Sequence, residues 1–386
     1  MNKMFYVATV ILAVVTVSAL FWFTSYDTSE KNTPPSDEVF NVGVVVPLSG
    51  KNAQYGQWIR EGLSLAAEDI NSDGGVLSKK IKLHFEDDKA EPANAALALQ
   101  RLIAEHNVKT VYGSWASSSV LAMAPIAEEQ QVLIMASAIS PKIREAGDYI
   151  FRMQPDARAY IRPLVPYALE ALKSKKLAIF YVNNDFGKDQ SQVFSKLFEE
   201  SGGEVVFNEG YQQDSTDFRA ELTKMRRKSP DTIFLVSYAE IGQILRQAHE
   251  IGLEDVQFLG SVPTENPDLF KTAGEYAEGI IFPSHFDALS SNLMVRDFAQ
   301  QYERKYNEKP EGLAALAYDG LFAIAKAAEL SGSTEAEDIK NGLYALPVTL
   351  GVTGNTSFDE NGDVLKPIII KTVVNQAFVV APNNQK

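Results

Sequence analysis

Apolar residues in this chain fall into short unbroken runs separated by stretches with helical spacing. Residues 40–47, Phe-Asn-Val-Gly-Val-Val-Val-Pro, read as a strand covered on both faces, because a half-buried strand would alternate instead. After a loop at 48–56, Ile59, Leu63, Ala66, Ala67 and Ile70 lie on one face of a helix that Asp73, Gly74 and Gly75 end. Strands at 81–86, 108–112 and 132–136 then alternate with helices at 93–106 and 117–130. That rhythm requires parallel pairing with crossover helices, a doubly wound α/β unit. It restarts after 151–155, with strands at 176–182, 204–207, 232–238, 257–261 and 279–283 and helices at 188–201, 218–228 and 241–252. Two further helices, 292–306 and 313–330, precede a β-rich end at 351–381 with a turn at Asn361-Gly362.

Residues 4–23 stand apart as an unbroken run of apolar and small residues behind the single cation Lys3. Twenty helical residues rise about 30 Å, the thickness of a bilayer's hydrocarbon core. Two readings stand for residues 1–23. They are an uncleaved membrane anchor, or a signal peptide cut near Val17-Ser18-Ala19 although apolar residues continue to Phe23. Both export the remainder, to the periplasm or the extracellular face. Residues 24–38, with Pro34-Pro35, form a polar linker.

Composition narrows the chemistry. Length 386 exceeds what one core supports. The absence of cysteine excludes disulfides, thiolate metal sites, cysteine nucleophiles and a lipid-bearing cysteine. A net charge of −14 has the wrong sign for a phosphate backbone, so no nucleic-acid partner is expected. His84, His106, His249 and His285 are scattered without metal-ligand spacing and read as surface or packing residues. No phosphate-cradling glycine motif and no serine-nucleophile elbow occurs, so the chain is expected to be neither an enzyme nor a carrier of metal or cofactor. Asp359-Glu-Asn-Gly-Asp363 starts like a calcium loop but has Val364 at position six and Ile370 at position twelve, and so reads as a hairpin turn.

What remains is polar and aromatic residues at the carboxyl ends of the strands, where open α/β sheets bind ligands. Ser117, Ser118 and Ser119 open a helix, so their hydroxyls serve equally for capping or for a ligand's carboxylate. Tyr55, Trp115, Phe186 and Tyr238 recur at matching positions in both halves.

The runs at 45–50, 54–56, 62–75, 85–88, 117–119, 242–248, 273–279 and 358–363 stand in a characteristic order and spacing. On these markers the chain resembles the type I periplasmic solute-binding proteins, in the leucine/isoleucine/valine-binding branch. The resemblance implies two α/β lobes joined by three crossovers that close on a ligand like a flytrap. Lobe 1 would be 40–155 plus 285–363, and lobe 2 would be 156–284 plus 364–386. It implies ligand contacts from Ser117 and Ser137 to carboxylate and ammonium, with Ile139 replacing a hydroxyl-bearing threonine. Tyr55 and Tyr238 match tyrosines, and Phe186 keeps a ring without its hydroxyl. The family's ammonium-binding glutamate falls on Val262, with Glu265 three residues on as the substitute. The implied function is capture of a small carboxylate such as an amino acid for an ABC permease. The alternatives are a membrane-anchored sensor, or a binder of an aromatic or short-chain carboxylate or amide.

Overall fold

The computed structural model describes residues 38–382, so the readings for 1–23 and most of the 24–38 linker lie outside the described residues. Strands β1 (Val39–Val46), β2 (Lys80–Asp87), β3 (Thr110–Tyr112), β4 (Leu133–Ala136) and β5 (Ile150–Arg152) form a parallel sheet ordered β2-β1-β3-β4-β5. Helices α1 (Ala53–Ser72), α2 (Pro92–His106) and α3 (Ser117–Gln130) link them. On β1, Val42, Val44 and Val46 enter one core and Val45 the other, which is why the run is continuous rather than alternating.

A second sheet repeats the order. It comprises β6 (Lys176–Val182), β7 (Glu204–Tyr211), β8 (Thr232–Val236), β9 (Gln257–Gly260) and β10 (Ile281–Ser284), extended by antiparallel β13 (Ile369–Val374) and β14 (Ala377–Val380). Its helices are α4 (Ala157–Pro166), α5 (Asp185–Glu200), α6 (Arg219–Arg226), α7 (Ile241–Glu250) and α8 (Asp268–Ala273). The chain then returns to the first half through α9 (Leu293–Tyr306), α10 (Gly312–Ser331) and α11 (Ala336–Tyr344). There Tyr306 donates to the Glu61 carbonyl at 3.0 Å and Tyr318 to Asp69 at 2.7 Å, seating α9 and α10 on α1. A hairpin, β11 (Thr349–Gly351) and β12 (Gly354–Thr356), precedes the final passage to β13. Among the described residues no helix is long and apolar enough to cross a membrane.

The differences from the expected elements have physical causes. The strand expected at 204–207 runs on to Tyr211, because β7 is an edge strand whose Asn208, Glu209 and Gly210 face solvent. Strand β5 escaped the pattern because one of its three residues is charged. Helix α4 was hidden by Pro163 and Pro166.

Arg152 closes β5 and is fully buried. Its Nε donates to Asp363 Oδ1 at 2.5 Å and its Nη1 to the Ser140 carbonyl at 2.8 Å. The backbones join as well, Arg152 N–H to Gly362 O at 2.8 Å and Val364 N–H to Arg152 O at 3.1 Å. Two of the passages between the sheets are thereby tied side by side. Asp363→Ala leaves a buried guanidinium without its anion and is expected to cost about 3–5 kcal/mol. Urea unfolding followed by tryptophan fluorescence checks this, and a loss under about 1 kcal/mol would refute the tie.

Candidate functional site between the two sheets

The carboxyl ends of both sheets converge on a cavity of about 30 Å3. Tyr55, Trp58, Trp115, Ile139, Glu311 and Leu313 line it from the first half, and Phe186, Tyr238, Val262, Pro263 and Glu265 from the second. Gln154 and His285, beside the passages, complete the wall with Gly312.

The aromatic residues arrive in pairs. Tyr55 stands in the first turn of α1 and Phe186 in that of α5, each followed by a glycine. A Cβ on Gly56 would lie 1.8 Å from the Pro47 carbonyl oxygen, and one on Gly187 the same distance from that of Val182. Only glycine lets these helices start so close to the preceding strand, and this lifts the neighbouring ring into the cavity. Trp115 follows β3 and Tyr238 follows β8, the third strands of their sheets. Tyr55 stacks on Trp115 with centroids 4.1 Å apart, and Phe186 on Tyr238 at 4.7 Å. Trp115 and Tyr238 then meet across the cleft at 4.9 Å.

Polar contacts hold these rings in place. Ser114 Oγ donates to buried Asp88 at 2.5 Å and accepts the Ala116 N–H, fixing the turn that carries Trp115. Asn184 caps α5 through the Gly187 N–H at 3.1 Å, and its Nδ2 donates to the Tyr238 hydroxyl at 3.3 Å. Burial raises the pKa of both Tyr55 and Tyr238, keeping the hydroxyls protonated.

Five of the expected residues therefore share one cavity: Tyr55, Trp115, Ile139, Phe186 and Tyr238. The expected serines stand behind it. Ser117 Oγ accepts the Ser140 N–H at 3.2 Å, and the Ser137 hydroxyl bonds the Tyr112 hydroxyl at 2.7 Å. Ser118 is half-buried at the second position of α3. Serine at a helix start does not cap here, since the N-cap residue is Ala116.

Sequence reasoning missed Trp58, Gln154, His285 and Glu311 as cavity residues. Trp58 follows Tyr55 by one helical turn, a signal that was available. His285 shares a hydrogen bond with Tyr160 at 2.6 Å through Nδ1. Burial pushes its pKa down to about 3, with Gly312 opposing and the charges of Lys366 and Lys371 assisting. It is neutral at physiological pH. Tyr55 Oη, Gln154 Oε1 and His285 Nε2 are all buried and lack a hydrogen-bond partner of good geometry. Such groups cost free energy unless something satisfies them.

Contacts across the cleft also bypass the cavity. Ser140 Oγ donates to Asp189 of α5, Lys142 reaches Asp185 at 2.9 Å and Asp189 at 3.4 Å, and Lys51 reaches Asp214 at 3.0 Å.

An aromatic-lined cavity between two like-ordered α/β sheets, with unsatisfied polar groups in its wall, is a candidate site for a small solute. Residues 39–377 match the family described as periplasmic binding protein, and the chain belongs to that family. It is 30% identical over 340 residues to the leucine-, isoleucine-, valine-, threonine- and alanine-binding protein of Pseudomonas aeruginosa, covering 85% of this chain and 87% of that one. The solved branched-chain amino acid transporter substrate-binding protein LivJ of Streptococcus pneumoniae, in complex with isoleucine, is 30% identical with a TM-score of 0.82, covering 88% of this chain and 98% of that one. A solute-binding protein of an ABC transporter from Rhodopseudomonas palustris, in complex with 3,4-dihydroxybenzoic acid, is 25% identical with a TM-score of 0.79, covering 88% and 95%.

The ring contact across the cleft has a measurable signature. In a double-mutant cycle, Trp115→Ala and Tyr238→Ala are expected to couple by about 0.5–1.5 kcal/mol in urea unfolding. Strict additivity would place the two rings apart in solution.

Proposed function

We propose that this protein is an exported, non-catalytic solute-binding protein of an ABC-type uptake system that captures a small carboxylate, foremost an amino acid, between two closing lobes. The observation that carries this is the convergence of Tyr55, Trp115, Ile139, Phe186 and Tyr238 from both sheets on one cavity. In this reading lobe 1 is 40–155 plus 285–363, lobe 2 is 156–284 plus 364–386, and the passages tied at Arg152 and Asp363 are the hinge. The cavity has room for one or two waters, so a ligand enters only when Trp115 and Tyr238 part. The ligand's carboxylate then meets the Ser117 hydroxyl and the backbone N–H groups at the start of α3, and Tyr238 and Phe186 close over its side chain. Likeness to a protein named for leucine, isoleucine, valine, threonine and alanine, and to one holding isoleucine, supports the amino-acid reading. The permease in the membrane is the partner this family membership implies.

A second reading, an aromatic carboxylate, draws on the stacked rings of the cavity and on the relative holding 3,4-dihydroxybenzoic acid.

A thermal-shift panel of aliphatic and aromatic amino acids, aromatic acids, amides and short-chain carboxylates tests both. Saturation at about 100 times Kd adds roughly 2.7 kcal/mol. That corresponds to several degrees, on the order of 2–4 °C per kcal/mol. No shift with any carboxylate would overturn the ligand class. Ser117→Ala is expected to weaken the ligand that shifts most by about 1–3 kcal/mol in calorimetry, and unchanged affinity would remove Ser117 from the site.

A further inference from the structure

The cavity wall holds two acidic residues, Glu265 and Glu311, and Lys371, whose charge acts on Glu311, is paired with Glu265. Lys371 Nζ pairs with Glu265 Oε1, and Ser284 Oγ donates to Glu265 Oε2 at 2.5 Å. Glu265 therefore has both oxygens satisfied and its charge balanced, which leaves it little capacity to hold a further cation.

Glu311 is in the opposite condition. It is the N-cap residue of α10, yet its side chain makes no capping bond, and no ion pair to it is formed among the described residues. Glu311 lines the cavity instead, and also a larger outer cavity of about 420 Å3 that shares Trp58 and Glu265. Independently of these acids, Gln154 Oε1 is a buried acceptor without a partner in the same cavity wall, its residue only 2% exposed.

We propose that Glu311 is the counter-ion for a cationic nitrogen of the ligand, with Gln154 Oε1 accepting a second N–H, so that the site selects an amino-bearing solute over an amine-free one. This rests on the reading of the cavity as the solute site and narrows its ligand. The groups facing Glu311 are Glu265, Lys371 and Glu308, with neutral His285 against Gly312. Burial first, and then the Glu265 charge, raises the Glu311 pKa well above the usual range, while Lys371 opposes. A bound ammonium reverses that balance and favours the ionised form. Binding therefore releases a proton at pH values between an ordinary glutamate's pKa and the raised one, and affinity rises with pH across that window.

The test is isothermal titration calorimetry with matched pairs, L-leucine against 4-methylpentanoate and L-phenylalanine against 3-phenylpropanoate. It is run on the native protein and on Glu311→Gln, in two buffers of different ionisation enthalpy. The expected result is that the amino acid of at least one pair binds and its amine-free partner is weaker by about thirtyfold or more. Glu311→Gln should lose that preference and the proton release while melting no lower than the native protein without ligand. Equal binding within a pair, or an amino acid indifferent to Glu311→Gln, would overturn the role of Glu311 and leave the solute-binding reading intact. Binding of the amine-free acids alone would do the same and favour the aromatic or aliphatic carboxylate. Failure of every compound would overturn both.

Discussion

The buried pair between Arg152 and Asp363 is the constraint on which the arrangement of the two halves depends. Arg152 ends the last strand of the first sheet, and Asp363 lies 211 positions later on the way to β13 of the second. Burial raises the Asp363 pKa despite the pull of Arg152, so desolvation consumes what the attraction supplies. The pair is therefore a positional device more than a source of net stability. Through Nη1 it also grips the Ser140 carbonyl, while the Ser140 N–H reaches Ser117 and its hydroxyl reaches Asp189 in the other half. A continuous polar chain thus runs from the passage between the sheets to the start of α3 and across the cleft. Any rotation of one half on the other has to reorganise Ser140 at its centre.

The cavity is built by repetition. Each sheet has the same strand order, the helix after β1 and the helix after β6 each open with a ring followed by glycine, and each third strand delivers a ring to the opposite partner. One half supplies the Tyr55–Trp115 stack and the other the Phe186–Tyr238 stack, and their meeting edge is the floor a solute would displace. Repetition ends at the polar groups. Glu311 and Gln154 belong to the first half or its edge, and Glu265 with Lys371 to the second, so charge is distributed without symmetry. The rings define a slot and the polar groups give it a direction.

Most of the fold was legible in the sequence because buried parallel strands have no solvent face and leave unbroken apolar runs, as at 40–47 and 176–182. What hid was local violation of that rule: Arg152 in β5, solvent-facing residues in edge strand β7, and prolines within α4. At the site the rings were legible, since Tyr55-Gly56 and Phe186-Gly187 mark helix starts packed on strand ends. The serines were legible as a cluster but not in their orientation. Ser137 points at Tyr112 and Ser117 at the Ser140 N–H, choices set by residues 20 or more positions away. Gln154, His285 and Glu311 carry no local signature at all, because they reach the cavity only through the passages between the sheets and the return of α10 to α1.

The cross-cleft contacts also bound how tightly a solute can bind. The pairs of Lys51 with Asp214 and Lys142 with Asp185 are largely exposed and contribute about 0–1 kcal/mol each. The Trp115–Tyr238 contact adds about 0.5–1.5 kcal/mol beyond the area it buries. A solute that parts these rings forfeits that contact and must replace it with its own apolar surface. Under the proposed assignment it then gains what the rings cannot supply, a partner for Gln154 Oε1 and a charge for Glu311. Since only interactions that differ between the two arrangements shift their balance, in the proposed reading the polar wall rather than the rings is the source of solute choice.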